Sequence, residues 1–320
     1  MNARDRVKAQ LRASQTELRR LEQADAARRL AKAREDKGFA EAERALAKAN
    51  IALASARARG ESTSKLETGL QKAQAAYDAA LKRLGADVSV HYRCDKCRDI
   101  GFDKDGEPCD CVKAQFIDML KAECGAHNIP PFTFADDRSA TLDCSQKEEL
   151  GLLYTRFKQF CAGFDTTSVK VIFLCGKPGI GKSSLAYAAA NELLSLGKSV
   201  CFMTAFEFNN AMLKYHTSPL SARASIMEPV TDSDLLVIDD LGTENVLRNV
   251  TCEYLYNVID TRISRGKRTI VTSNLAPEAL MARYGERTIS RMLNKSYAKS
   301  YVLNGDNLRL RSASLLPPFR

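Results

Sequence analysis

The chain reads as an α/β protein with a parallel sheet, preceded by a helical hairpin or coiled coil and a small cysteine module. Three observations predict this. Residues 1–85 are almost purely helix-forming, with Phe39 and Tyr77 the only aromatics and no proline. Four cysteines crowd into 94–111. From about Thr133 onward, short β-branched runs alternate with helical stretches, the pattern of a parallel sheet with crossover helices. The expected division is 1–85 arm, 86–131 cysteine module and linker, 132–311 α/β domain and 312–320 tail.

Charge is concentrated rather than spread. The 320 residues carry 48 Lys+Arg against 39 Asp+Glu, a net charge of +9. Residues 1–85 hold 19 basic and 11 acidic side chains, so nearly the whole excess lies on the arm. The composition excludes collagen-like, wholly disordered and disulfide-scaffold classes. The charged start, Met1-Asn2-Ala3-Arg4-Asp5-Arg6, lacks the apolar core of a secretory signal. No run approaches the ~18 apolar residues of a membrane span. A cytoplasmic protein with reduced thiols and no membrane association is expected.

Within the arm, Leu66, Leu70, Ala73, Tyr77, Ala80 and Leu84 repeat at heptad spacing, as do Ala42, Leu46, Ala49, Leu53 and Ala56. Val7, Leu11, Leu18 and Leu21 begin a weaker seam. Gly38 and the run 59–64 are the expected breaks, with Ser62 or Ser64 as a cap for the next helix. Alanine-rich seams bury little area, so the arm is expected to need a partner or self-association.

In the module, Cys94-x-x-Cys97 and Cys109-x-Cys111 supply four thiolates for one tetrahedral Zn²⁺, and Lys104-Asp105-Gly106 between them suits a hairpin turn. The short C-x-C half leaves His91 open as a substitute ligand. Val112–Cys124 then reads as an amphipathic helix, and Pro130-Pro131 as a linker.

The α/β part carries the chemistry. A strand at Val169–Cys175 leads into Gly176-Lys177-Pro178-Gly179-Ile180-Gly181-Lys182-Ser183-Ser184 and then a helix. Strand, G-x-x-x-x-G-K-S and helix is a phosphate-binding loop in its required context. Glycines let successive N–H groups face phosphate oxygens, and the helix N-terminus adds partial positive charge. Lys182 then reaches the β- and γ-phosphates of ATP, and Ser183 ligates Mg²⁺. A second strand, Leu235–Ile238, ends in Asp239-Asp240: Asp239 holds Mg²⁺ and Asp240 orients or deprotonates the attacking water. A third, Thr269–Ser273, ends at Asn274, placed for the γ-phosphate or that water.

These residues, with Leu235–Gly242, Thr272–Leu275, Tyr284–Met292 and Asp306–Arg309, resemble the AAA+ ATPases, specifically the helicase loaders of the DnaC/DnaI type with IstB-type transposition helpers as relatives. The resemblance implies an arginine acting on a neighbouring subunit's γ-phosphate, Arg291 with Arg287 as runner-up, and a later nucleotide-sensing Arg309. It also implies zinc ahead of the ATPase domain, self-association, single-stranded DNA and a hexameric replicative helicase gripped by the N-terminal region. The second acid is Asp240, where many of these enzymes carry Glu, so slow hydrolysis dependent on assembly or DNA is expected. Phe206, Phe208, Lys214 and Tyr215 are candidate strand contacts. The alternative is a transposition helper that binds DNA and recruits a transposase. A nucleotide-gated adaptor that scarcely hydrolyses is a third reading.

Overall fold

The structure, a computed structural model, describes residues 2–126, 129–136, 144–305 and 307–308. The chain packs as two units, Gln10–Val112 and a second that joins Met1–Ala9 to Lys113–Arg320.

In the first unit lie most of α1 (Ala3–Ala33), all of α2 (Lys37–Ala58) and α3 (Ser64–Leu84), and the cysteine module. α2 and α3 form an antiparallel hairpin. Arg83 pairs with Asp36 at one end, Phe39 and Tyr77 stack at 5.2 Å near it, and Arg57 meets Glu67 at 3.2 Å at the other. The two heptad seams face inward: Leu53 and Ala56 are buried, and the remaining members except Leu84 are half-buried.

Three local expectations are corrected. The first break falls at 34–36, not at Gly38, because the Asp36 carboxylate accepts from Phe39 N at 2.8 Å and caps α2. Neither Ser62 nor Ser64 caps α3, which starts after Thr63, whose hydroxyl is turned to Glu67 at 3.0 Å. The α1 seam leaves Leu21 55% exposed and continues through half-buried Glu22 to buried Ala26 and Ala33. Polar residues occupy that stripe because they hold the module. Glu22 accepts from His91 N at 3.0 Å, Arg29 donates to Ser89 O at 2.8 Å, and Arg12 lies over the Phe102 ring at 4.7 Å.

The second unit is built on five parallel strands, β1 (Val171–Gly176), β2 (Val200–Thr204), β3 (Leu235–Leu241), β4 (Arg268–Ser273) and β5 (Ala298–Leu303), in the order β2-β3-β4-β1-β5. β1 and β3 are buried almost throughout, as near-continuous apolar runs require in a sheet covered on both faces. α4 (Asp110–Glu123) and α5 (Cys144–Ala162) precede β1, α6 (Lys182–Ser195) covers the sheet with Leu185, Ala186, Ala189 and Leu193, and α7 (Ala205–Thr217) and α8 (Leu220–Asp232) follow β2. α9 (Glu253–Ser264) packs Leu255, Val258 and Ile259 into the cluster that includes Phe173, Leu236 and Val271. Arg262 of α9 is fully buried and donates to Thr269 Oγ1 and the carbonyls of Val230 and Ser233 at 2.9–3.0 Å, so its charge is met by oxygens rather than water. The order β3-β4-β1 places the three predicted functional strand ends side by side. Among the described residues no helix is long and apolar enough to cross a membrane.

Candidate functional site

The phosphate-binding loop leaves β1 where the backbone needs positive φ. Gly176, Gly179 and Gly181 stand at φ 144°, 81° and 99°. A Cβ on Gly176 would lie 2.2 Å from Leu303 O, so the β1–β5 packing itself demands glycine there. At Gly179 the space a Cβ would take is filled by Asn307, whose Oδ1 would be 1.9 Å away, and Leu308 N donates to Gly179 O at 2.9 Å. Asn307 and Leu308 therefore lie against the loop, while Asp306 and Arg309 lie outside the described residues.

Lys182 opens α6 and is 4% exposed. Its Nζ donates to Gly176 O, Lys177 O and Asn274 Oδ1, each at 2.8 Å. Because β4 lies between β1 and β3, the Asn274 amide reaches both ways: its Nδ2 donates to Asp240 Oδ1 at 3.2 Å. On the other branch, Ser183 Oγ and Thr272 Oγ1 donate to Asp239 Oδ1 at 3.0 and 2.6 Å. Burial pushes the Asp239 carboxyl above its usual range, and the Thr272 and Ser183 hydroxyls oppose that shift.

Adjacent residues on a regular strand point to opposite faces, yet Asp239 and Asp240 bond Thr272 of β4 and Asn274 just past its end, two residues apart. A bulge resolves this. Ile238 pairs with Val271 and Leu241 with Ser273, so β3 spends one more residue than β4 over the interval. Asp240 takes up the extra length in the left-handed region at φ 57°, with its N–H on Thr272 Oγ1 at 2.8 Å. Two carboxylates are thereby turned to one strand end. Together with the glycine cradle and the buried ammonium, this donor set fits a nucleotide triphosphate with a divalent cation, the Ser183 hydroxyl and Asp239 carboxylate being the oxygen ligands.

The two arginines of α11 (Glu286–Met292) are held elsewhere. Arg291 pairs with Asp260 of α9 at 2.6 Å, and Arg287 lies over the Tyr256 ring at 4.0 Å and donates to its hydroxyl at 2.8 Å. Of the contacts expected on α7 (Ala205–Thr217), Phe206 is 61% exposed and Lys214, eight residues further along the helix, is exposed too, whereas Phe208 is buried in the core and Tyr215 packs edge-on to Tyr254 at 5.2 Å.

The cysteine module brings its four sulfurs within 4.8 Å of one another. Cys94 and Cys109 are 3.9 Å apart and Cys97 and Cys111 3.6 Å, close to the roughly 3.8 Å edge of a tetrahedron with 2.3 Å Zn–S bonds. The set fits zinc. Gly101 N donates to the Cys97 sulfur at 3.3 Å, and Asp99 accepts from Arg93 N and Cys94 N at 3.0 and 2.9 Å. The Cys97 N–H and the Cys111 thiol lower the Cys94 thiol to about 7, while burial raises the thiols of Cys97 and Cys111. The turn falls at 103–106, closed by Gly106 N on Asp103 O at 3.1 Å below a Phe102–Pro108 bridge. His91 is turned to Asp87 at 2.9 Å, apart from the sulfurs.

Sequence reasoning missed Thr272, Asn307, Glu244 and Tyr284. Thr272 and Asn307 stood inside quoted motifs but carry no spacing signal of their own. Glu244 and Tyr284 are far apart in sequence and meet only in the fold, where the Tyr284 hydroxyl donates to the Glu244 carboxylate.

Residues 160–315 match the family model of the IstB-like ATP binding proteins. The replicative helicase loader DnaC of Escherichia coli (strain K12) is 33% identical over 159 residues, covering 49% of this chain and 63% of that protein. DnaC of Buchnera aphidicola subsp. Acyrthosiphon pisum is 30% identical over 138 residues, 42% of this chain and 54% of its own length. A solved structure of DnaI is 20% identical over 56% of this chain and 91% of that one, with a TM-score of 0.44. The chain thus spans less than two thirds of the length of these curated relatives. The comparisons agree with the resemblance read from the motifs: residues 160–315 match the IstB-like ATP binding protein model, and the chain is similar over about half its length to the DnaC helicase loaders.

Proposed function

We propose that the chain is an ATP-dependent loader that places a replicative DNA helicase on single-stranded DNA during bacterial or phage replication initiation, acting in the cytoplasm. The observation that carries this reading is the hydrogen-bonded set Lys182–Asn274–Asp240 and Ser183–Asp239, within a domain 33% identical to a protein named as a helicase loader. Gly176–Ser184 bind the phosphates, with Lys182 leaving its carbonyl partners for the β- and γ-oxygens. Ser183 and Asp239 hold Mg²⁺, which supplies charge neutralisation at the phosphates. Asp240, oriented by Asn274, positions or deprotonates the water. The Asp240 carboxylate is one methylene shorter than Glu, which supports slow hydrolysis suited to a switch.

Arg291, with Arg287 as runner-up, acts on the γ-phosphate of a neighbouring subunit, and Arg309 reads the nucleotide in its own. Placement of both α11 arginines on α9 rather than on their own loop supports a role between subunits. Cys94, Cys97, Cys109 and Cys111 hold a structural Zn²⁺. The arm and module grip the helicase, and Phe206 with Lys214 contacts the strand.

The test is to mix the full chain with the replicative helicase, with and without ATP, and to measure the mass of the complex. A nucleotide-dependent complex is expected; absence of any complex under both conditions sinks the loader. The family match favours one second reading, a transposition helper that binds DNA and recruits a transposase. That reading predicts capture of the transposase in place of the helicase.

A further inference from the structure

Beyond the bulge in β3, the chain is braced residue by residue. Ser273 Oγ donates to Leu241 O at 2.6 Å and accepts from Leu275 N at 3.0 Å. Gly242, at φ 111°, leaves room for Leu275, whose Cδ1 would stand 2.6 Å from a Cβ there. Gly242 N then donates to Glu244 Oε2 at 3.0 Å. Glu244 is buried, and the hydroxyl of Tyr284 donates to its other carboxylate oxygen. The Arg283 guanidinium donates to the carbonyl of the same glutamate. Burial and the adjacent carboxylate hold the Tyr284 phenol far above its usual range, so it remains a donor.

Tyr284 is the last residue of α10 (Pro277–Tyr284), and Gly285, at φ 91° and ψ 145°, is the joint to α11. α11 therefore cannot inherit its direction from a continuous helix. Its direction is set by contacts, and the Glu244–Tyr284 bond is made at the joint itself. An apolar pair would fill the same volume without desolvating a carboxylate, but it would also slide. A buried and satisfied polar pair admits one arrangement.

We propose that Glu244 and Tyr284 are positioning residues that transmit the state of the Asp239–Asp240 strand end to α11, so that nucleotide occupancy sets where Arg287 and Arg291 stand. This rests on the reading above that an α11 arginine serves a neighbouring subunit. The test uses the full chain and measures ATP affinity, melting temperature and ATPase rate against protein concentration. Tyr284→Phe and Arg291→Ala are compared singly and together. Tyr284→Phe is expected to leave ATP affinity within about twofold, to lower the concentration-stimulated rate about tenfold, and to add nothing in the Arg291→Ala background. If Tyr284→Phe melts early, Glu244→Gln, which keeps one acceptor oxygen, carries the same comparison. Equal losses of affinity and rate, or independent multiplication of the two single effects, overturns the proposal. An ATPase rate untouched by both Arg291→Ala and Arg287→Ala instead overturns the trans-arginine reading, and the tie falls with it.

Discussion

The two units put their polar side chains to different use. In the sheet unit, apolar strands are covered on both faces, and the buried polar groups include Lys182, Asp239, Thr272 and Glu244, which build the site or brace it, beside others such as Arg262 and Thr269 that pack the fold. In the unit 10–112, α3 has no buried residue, and the α1 stripe is held by Arg12, Glu22 and Arg29 against the cysteine module. Burial in the first case serves chemistry; polarity in the second serves packing. The net +8 of residues 1–85 is untouched by these contacts, since the ion pairs of Arg29 are with Glu22 and Asp25 of the same segment.

Removing the metal should break the comparison most severely. Chelation, or Cys97→Ser, is expected to open residues 86–112 to protease and lower the helix signal of the arm while ATP binding survives, because the module has little core beyond its sulfurs. Metal analysis should find one zinc per chain, and an unchanged protease pattern after chelation would sink the zinc assignment. Next in size, Phe39→Ala should cost about 3 kcal/mol in urea unfolding and half-buried Leu46→Ala only about 1 kcal/mol. Equal costs would mean that the heptad seam is packed as tightly as a core.

Lys182→Ala is expected to weaken ATP binding on the order of 100-fold, the worth of a charge-assisted contact, without altering the arm's circular dichroism. The smallest effect is a pH slope. The folded Asp239 carboxyl is raised by burial, so it adds stability below the ordinary carboxylate range and loses it as pH climbs through the raised value. Nucleotide-free protein should therefore melt slightly lower across that window while Mg²⁺ affinity rises. Asp239→Asn should flatten both trends, and melting curves in pH steps read the difference.

Much of this was legible because it is periodic or local. The α2 seam and the α3 seam as far as Ala80, the strand–loop–helix of Val171–Ser195 and the clustering of the four cysteines are set by near neighbours, and each is found where the pattern puts it. Helix starts were read less well: Asp36 caps α2 through its carboxylate, whereas α3 starts after Thr63 with no side-chain cap. Phe206 and Phe208 looked alike in sequence, but two residues of helix turn them to different sides, one to solvent and one to the core. Leu21 misled because the stripe it would have joined is filled by polar residues with partners some 60 or more positions away. The Glu244–Tyr284 bond spans 40 positions and has no local signature at all.

The bulge at the end of β3 ties the choice of acid to the choice of backbone. A left-handed φ is tolerated by Asp, Asn and Gly far better than by longer or branched side chains. At position 240 the shorter carboxylate is therefore the one the chain can house at low strain. Lengthening it to Glu would extend its reach toward a bound phosphate but tax the turn that aims it. Asp240→Glu is therefore housed at low strain only where the backbone relaxes with it, and the residues that hold the bulge shut are Thr272 and Ser273.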